Sequence, residues 1–167
     1  MSFPLKPISR AGIDAALQKA ERYRVIDDPS SAESICLDVL AVDPDHQHAL
    51  VTLLLAITDQ FPEAPVAGAR RARELLPRLD SEYRRAYYAG LISERCGKAE
   101  LQSGTLGAGE MAYRSLRDAM HWYGKAEALR PAGNDEALLR WNTCARLLAR
   151  HPSLAPKAEG PVDPSLE

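Results

Sequence analysis

The sequence is poor in aromatic residues, 6% of its 167 positions, and poorer still in cysteine, of which it has three. Cys36, Cys96 and Cys144 stand far apart and form no CxxC or CxxH spacing. Neither a zinc site nor a disulfide framework is indicated. The cysteines are expected as small buried apolar residues in a reducing compartment. Long hydrophobic runs are also missing. The longest, Leu50 to Ile57, is interrupted by Thr52 and is too short to span a bilayer. Charge of one sign is absent too: the formal net charge is −2. No global basic field exists to hold nucleic acid or an anionic membrane. Met1 to Arg10 lacks the apolar core of a signal peptide, so a cytoplasmic protein is expected.

What is present is helix-forming. Hydrophobic residues make up 46% and charged residues 26%, ordinary for a globular chain. Alanine, leucine and arginine are abundant, while valine and isoleucine are too sparse for a large sheet. One pattern occurs more than once. Ala32, Cys36, Val39 and Pro44 show the same spacing of small residue, packing residues and closing proline as Ala119, Tyr123, Ala126 and Pro131. Each set describes a helix with one apolar stripe, ended by a proline.

Taken in order, the periodicity predicts seven helices. After an extended arm over 1–9, the first runs from about 10 to 24, with Ile13, Leu17, Ala20 and Tyr23 in one stripe. Ser30 and Glu33 predict a capping box for the second, about 31–42, and Asp45 a cap for the third, about 46–60. The third is apolar nearly all round and is expected to be the most buried. The fourth spans about 65–76 and the fifth about 81–97, capped by Asp80 or Ser81. Gly90, in the middle of the fifth, points to a close helix crossing. A small-residue loop over 102–109 leads to the sixth helix, about 110–129. Asn134 or Asp135 caps the seventh, about 135–150, and a proline-rich, disordered tail is expected over 151–167.

Helices joined by short polar turns, alternate ones closed by proline, resemble the tetratricopeptide repeat, a helix–turn–helix unit of about 34 residues. Ala20 and Tyr23, then Ala32, Cys36, Val39 and Pro44, match the first unit. Ala69, Ala72 and Pro77 repeat its second half, Gly90, Ala119, Tyr123, Ala126 and Pro131 match a third unit, and Trp141 and Ala145 a truncated fourth. Leu54 and Pro65 depart from the pattern, and the third unit is lengthened by an insertion near 98–110. The resemblance covers roughly 10–150. It implies an all-α, right-handed stack of antiparallel helix hairpins, because each hairpin buries its apolar face only against its neighbours.

The resemblance also implies a concave groove lined by the first helix of each unit. Its groove-facing positions fall on Glu21, Arg24, Thr58, Arg84, Tyr87, Glu94, Asn142 and Arg146. Arginine and tyrosine there suit recognition of a peptide or a carboxylate. The alternative is a solvated helix face with snorkelling arginines. The Lys/Asn clamp that some relatives use for C-terminal carboxylates is not reproduced. Arg70, Arg71, Arg73, Arg78, Arg84 and Arg85 form the most basic stretch, interleaved with Glu74, Asp80 and Glu82 as in a mixed solvated surface. The glycines of Gly104-Thr105-Leu106-Gly107-Ala108-Gly109 lack the Gly-Lys-Ser/Thr ending of a phosphate loop. They read better as a flexible insertion, and insertions in repeats often sit on a binding face. His46 and His48 point apart on a helix, and no nucleophile–base pair or carboxylate cluster stands out; Glu94, Cys96 and His121 could in principle meet across helices, but nothing in their spacing demands it. Exposure of Tyr88 and Trp122 together would mark a partner surface beside the insertion.

The function expected is therefore a non-enzymatic adaptor that holds a protein or peptide segment, through the groove or through 98–115. No cofactor, metal, nucleic acid or membrane is called for, and self-association through an end helix stays open. The alternative is a sensor of a small-molecule effector with its pocket under the insertion.

Overall fold

The structure, a computed structural model, describes residues 3–63 and 65–156. Among them every regular element is helical. A short 3-10 turn, Arg10–Gly12, leads into α1 (Ile13–Val25), followed by α2 (Pro29–Val42), α3 (Gln47–Asp59) and α4 (Pro65–Leu75). After a second 3-10 turn, Leu76–Arg78, come α5 (Glu82–Ser103), α6 (Ala108–Leu129) and α7 (Glu136–Arg150), and a last turn, Pro152–Leu154, packs on α6 and α7. The arm over 3–9 has no regular structure. Most of the proline-rich tail expected over 151–167 lies outside the described residues.

Two caps differ from expectation. Asp28, not Ser30, caps α2: its carboxylate accepts the Ser31 N–H at 3.2 Å, and Pro29 opens the helix where no N–H is needed. His46, not Asp45, caps α3, its Nδ1 accepting from the Ala49 N–H at 3.3 Å. Ser81 caps α5, its Oγ accepting from the Arg84 N–H at 3.2 Å. The sequence between 98 and 110 is also more regular than a loop. Helix α5 runs to Ser103 and α6 begins at Ala108, so most of the expected insertion is added turns on an α5/α6 hairpin. Only Gly104 to Gly107 is a turn, with both glycines left-handed at φ 63° and 81°.

Each helix packs on the next, and α1 also packs on α3. Two cores result. The first joins α1 to α4 around Leu17, Leu50, Leu54 and Phe61, and takes Leu91 and Ile92 from one side of α5. The second joins α5, α6 and α7 around Leu116, Tyr123, Ala126 and Cys144, with Ala86 from another side of α5. Helix α5 is thus shared by both. Helix α3 is buried on most sides, as its composition predicts. Gly90 marks the crossing with α6: a Cβ there would lie 2.8 Å from the ring of Tyr123. Cys36 and Cys144 are buried core residues.

Candidate functional site

Charged side chains of α1, α3, α5 and α7 meet on one side of the molecule. Arg24 Nε of α1 donates to Asp59 Oδ2 of α3 at 2.7 Å. Arg95 of α5 donates to the other oxygen of Asp59 and, at 2.9 Å, to Thr58 Oγ1. One turn of α5 away, Lys98 pairs with Glu94, which also takes Arg140 Nη1 of α7 at 3.4 Å and the Tyr123 hydroxyl at 2.6 Å. Glu94 is wholly buried, so these partners supply what water would otherwise give a carboxylate. Burial, then the neighbouring Glu94 carboxylate, push the Tyr123 phenol far up, which keeps it a proton donor. Burial disfavours the charge on Arg140, but Glu94 and Tyr87 outweigh it and hold its pKa above the usual guanidinium range. Four cations therefore share two carboxylates. A cleft of about 430 Å³ opens beside Arg24, Thr58, Asp59, Arg95 and Lys98. Asp27 also lines it, and one positive charge is still in excess.

The structure thus gathers Arg24, Thr58 and Glu94, and brings Tyr87 close through Arg140. It does not leave all of them open. Thr58 is buried, donating to the Leu55 carbonyl at 2.8 Å, because the stripe of α3 extends to its last turn. Glu94 is buried because α7 and Tyr123 close over it. Neither side chain presents a free surface to a partner. Tyr87 is half-buried, its ring 5.1 Å from Tyr88 and 5.9 Å from Tyr83; burial raises its phenol pKa against the opposing effect of Arg140. Arg84 pairs with Asp80 at 3.4 Å. Glu21 pairs with His48 at 2.6 Å. Asn142 and Arg146 are exposed on α7, and among the described residues no hydrogen bond joins them to the others. The charges that do the joining, Asp59, Arg95, Lys98 and Arg140, were not among the groove positions named from sequence. Two of them follow directly after Thr58 and Glu94, and Glu94–Lys98 is a legible four-residue pair.

A second feature lies between α4 and α6. Both pack on α5 and leave an open channel over it. Its wider half, about 1010 Å³, has Val66, Ala69 and Arg70 of α4 on one wall, Ala108 and Met111 of α6 on the other, and Cys96 and Ala99 of α5 below. Its second half, about 790 Å³, lies between Leu76 and Trp122–Leu129, over Ala86 and Ala89. A polar bridge separates the halves: Arg73 Nη2 donates to Ser93 Oγ at 3.2 Å, and Ser93 donates to Asp118 at 2.6 Å. Trp122 is half-buried under Lys125, 4.4 Å from its ring centre, and Tyr88 is half-buried against the first core, so the two do not form one exposed patch. Glu94, Cys96 and His121 do not meet: Cys96 faces the channel, and His121 is exposed beside Trp122. Burial pushes the Cys96 thiol up to about 11, an inert rather than a nucleophilic setting.

Among the described residues, no group of three or more His, Cys, Asp or Glu side chains is arranged to hold a metal ion, and no helix is long and apolar enough to cross a membrane. Comparison with protein-family models, with curated proteins and with solved structures finds no match.

Proposed function

We propose that the protein is a non-enzymatic, cytoplasmic interaction module of the tetratricopeptide-like kind, a right-handed stack of helix hairpins that holds a protein or peptide segment. The observation that carries this reading is the shared charged face: Arg24, Asp59, Arg95 and Lys98 of α1, α3 and α5 surround one cleft with positive charge in excess, and Glu94 joins Lys98 to Arg140 of α7 beside it. The packing of α1 on α3 supports side-by-side first helices, as such a stack requires. Guanidiniums held in place by Asp59 and Glu94 are preorganised for a carboxylate-bearing segment.

A photo-crosslinking amino acid at Val25, exposed on the lip of the cleft and outside the channel between α4 and α6, tests this directly. A partner segment should be captured at that position, and Arg24→Gln with Arg95→Gln should reduce capture at least tenfold while the circular dichroism spectrum is unchanged. Undiminished capture by the folded double variant would discard the cleft as the site.

A second reading, a small-molecule effector sensor, is favoured by the wider half of the channel. Its roughly 1000 Å³ sits at the top of the usual range for ligand pockets. A metabolite that raises Tm, with no protein captured at Val25, would move the assignment there.

A further inference from the structure

We infer that the channel between α4 and α6 is a second docking surface and that its occupant is an amphipathic α-helix of a partner protein; the inference extends the interaction-module reading and rests on it.

The backbone chemistry of the channel selects a helix. Floor and walls are themselves helices, whose N–H and C=O groups are satisfied internally. An extended segment laid there finds no main-chain partners, whereas a helix brings its own hydrogen bonds with it. The shape agrees. Helices α4 and α6 run in the same direction, with Val66 and Met111 at one end and Leu76 and Leu129 at the other. Along α6, Met111 to Leu129 spans about 27 Å, roughly 18 helical residues, and a helix laid over both halves sets a polar residue against the Arg73–Ser93–Asp118 bridge between them. The floor presents Ala86, Ala89, Cys96 and Ala99, small enough for a helix to approach closely. Val66, Met111 and Leu129 stand exposed on the walls.

Charge sets the register. On the α4 lip, Arg70 and Glu74 are one turn apart, exposed, and neither is paired among the described residues. The other lining charges of the wider half are engaged: Arg73 with Ser93, and Glu100 with Ser115 at 3.0 Å. The wider half therefore offers one positive and one negative group four residues apart along its edge. The complementary helix carries an apolar stripe at three-and-four spacing, flanked by an acid facing Arg70 and a base facing Glu74.

The test is selection of a phage-displayed library of random 18-residue peptides on the full chain. Enriched peptides are expected to share the apolar stripe with an acid and a base four apart, and to become helical on binding. They should bind at least tenfold more weakly to Met111→Glu, an exposed position whose change leaves the fold intact; Val66→Glu serves as the second such variant. The double variant Arg70→Glu with Glu74→Arg should instead prefer peptides with the acid and base exchanged. Proline-rich or extended winners, or winners indifferent to both wall variants, would overturn the inference. Winners lost only in Arg24→Gln with Arg95→Gln would overturn it while leaving the charged cleft as the interaction site. No enrichment on either face would overturn both readings. A concentration-dependent dimer abolished by Met111→Glu would replace the partner helix with a second copy of the chain.

Discussion

Two residues carry more of this structure than their size suggests. Gly90 lets the ring of Tyr123 lie against the backbone of α5, and the hydroxyl of that ring reaches Glu94. In an isolated helix Gly90→Ala would gain about 1 kcal/mol. Here the new methyl meets Tyr123 at 2.8 Å, and Tyr123, wholly buried, has nowhere to move. We expect Gly90→Ala to destabilise by about 1–3 kcal/mol, as overpacked cores do, measured as a lowered urea midpoint. Tyr123→Phe keeps the ring and removes one donor from a buried carboxylate, which should cost about 2 kcal/mol in the same assay. If Lys98 and Arg140 alone satisfied Glu94, that substitution would be silent.

At the scale of the element, termini and turns decide more than stripes. Helix α5 is long enough to join both cores because Ser81 fixes its start and left-handed Gly104 its end. Ser81→Ala should cost about 1 kcal/mol, readable as a lower Tm, since the Arg84 N–H loses its acceptor. A Tm unchanged by the substitution would mean that water replaces the hydroxyl at this cap. The caps also show where local reading stops. Asp28 and Ser30, like Asp45 and His46, are neighbouring polar candidates, and the spacing alone does not separate them. The outcome turned on φ and ψ at the junction, which the packing of α2 on α1 and α3 imposes.

For the whole molecule the buried thiols and phenols predict a pH dependence. Burial pushes Cys36 and Cys144 from an ordinary 9.0 up to about 12, Cys96 to about 11, and Tyr88 from 10.0 to about 12. In the unfolded chain these groups lose their protons first. A folded-state pKa raised above the unfolded one leaves stability intact below about pH 9 and erodes it as pH rises toward 12. The urea midpoint should therefore fall between pH 8 and pH 11. Replacing Cys36 and Cys144 by alanine should lower stability at pH 8 but flatten that slope. A slope unchanged in the double variant would assign the alkaline loss to other groups. The same scale holds the two candidate surfaces. The charged cleft draws on α1, α3 and α5, and the channel on α4, α5 and α6, so neither exists in any single hairpin.

Much of this was readable along the chain. The seven helices, the heavy burial of α3, the close crossing at Gly90 and the buried Cys36 and Cys144 all follow from periods of three and four and from residue size, because those are properties of one helix and the surface it must hide. Arg24, Tyr87 and Glu94 were named by the resemblance to the tetratricopeptide repeat rather than by period or size. That Glu94 is buried under α7, that Asp59 holds two arginines, and that α4 and α6 stand apart over α5 was decided only by tertiary structure. Each depends on the angle and distance between helices far apart in sequence, and a charge or a methyl takes its environment from that geometry rather than from its neighbours in the chain.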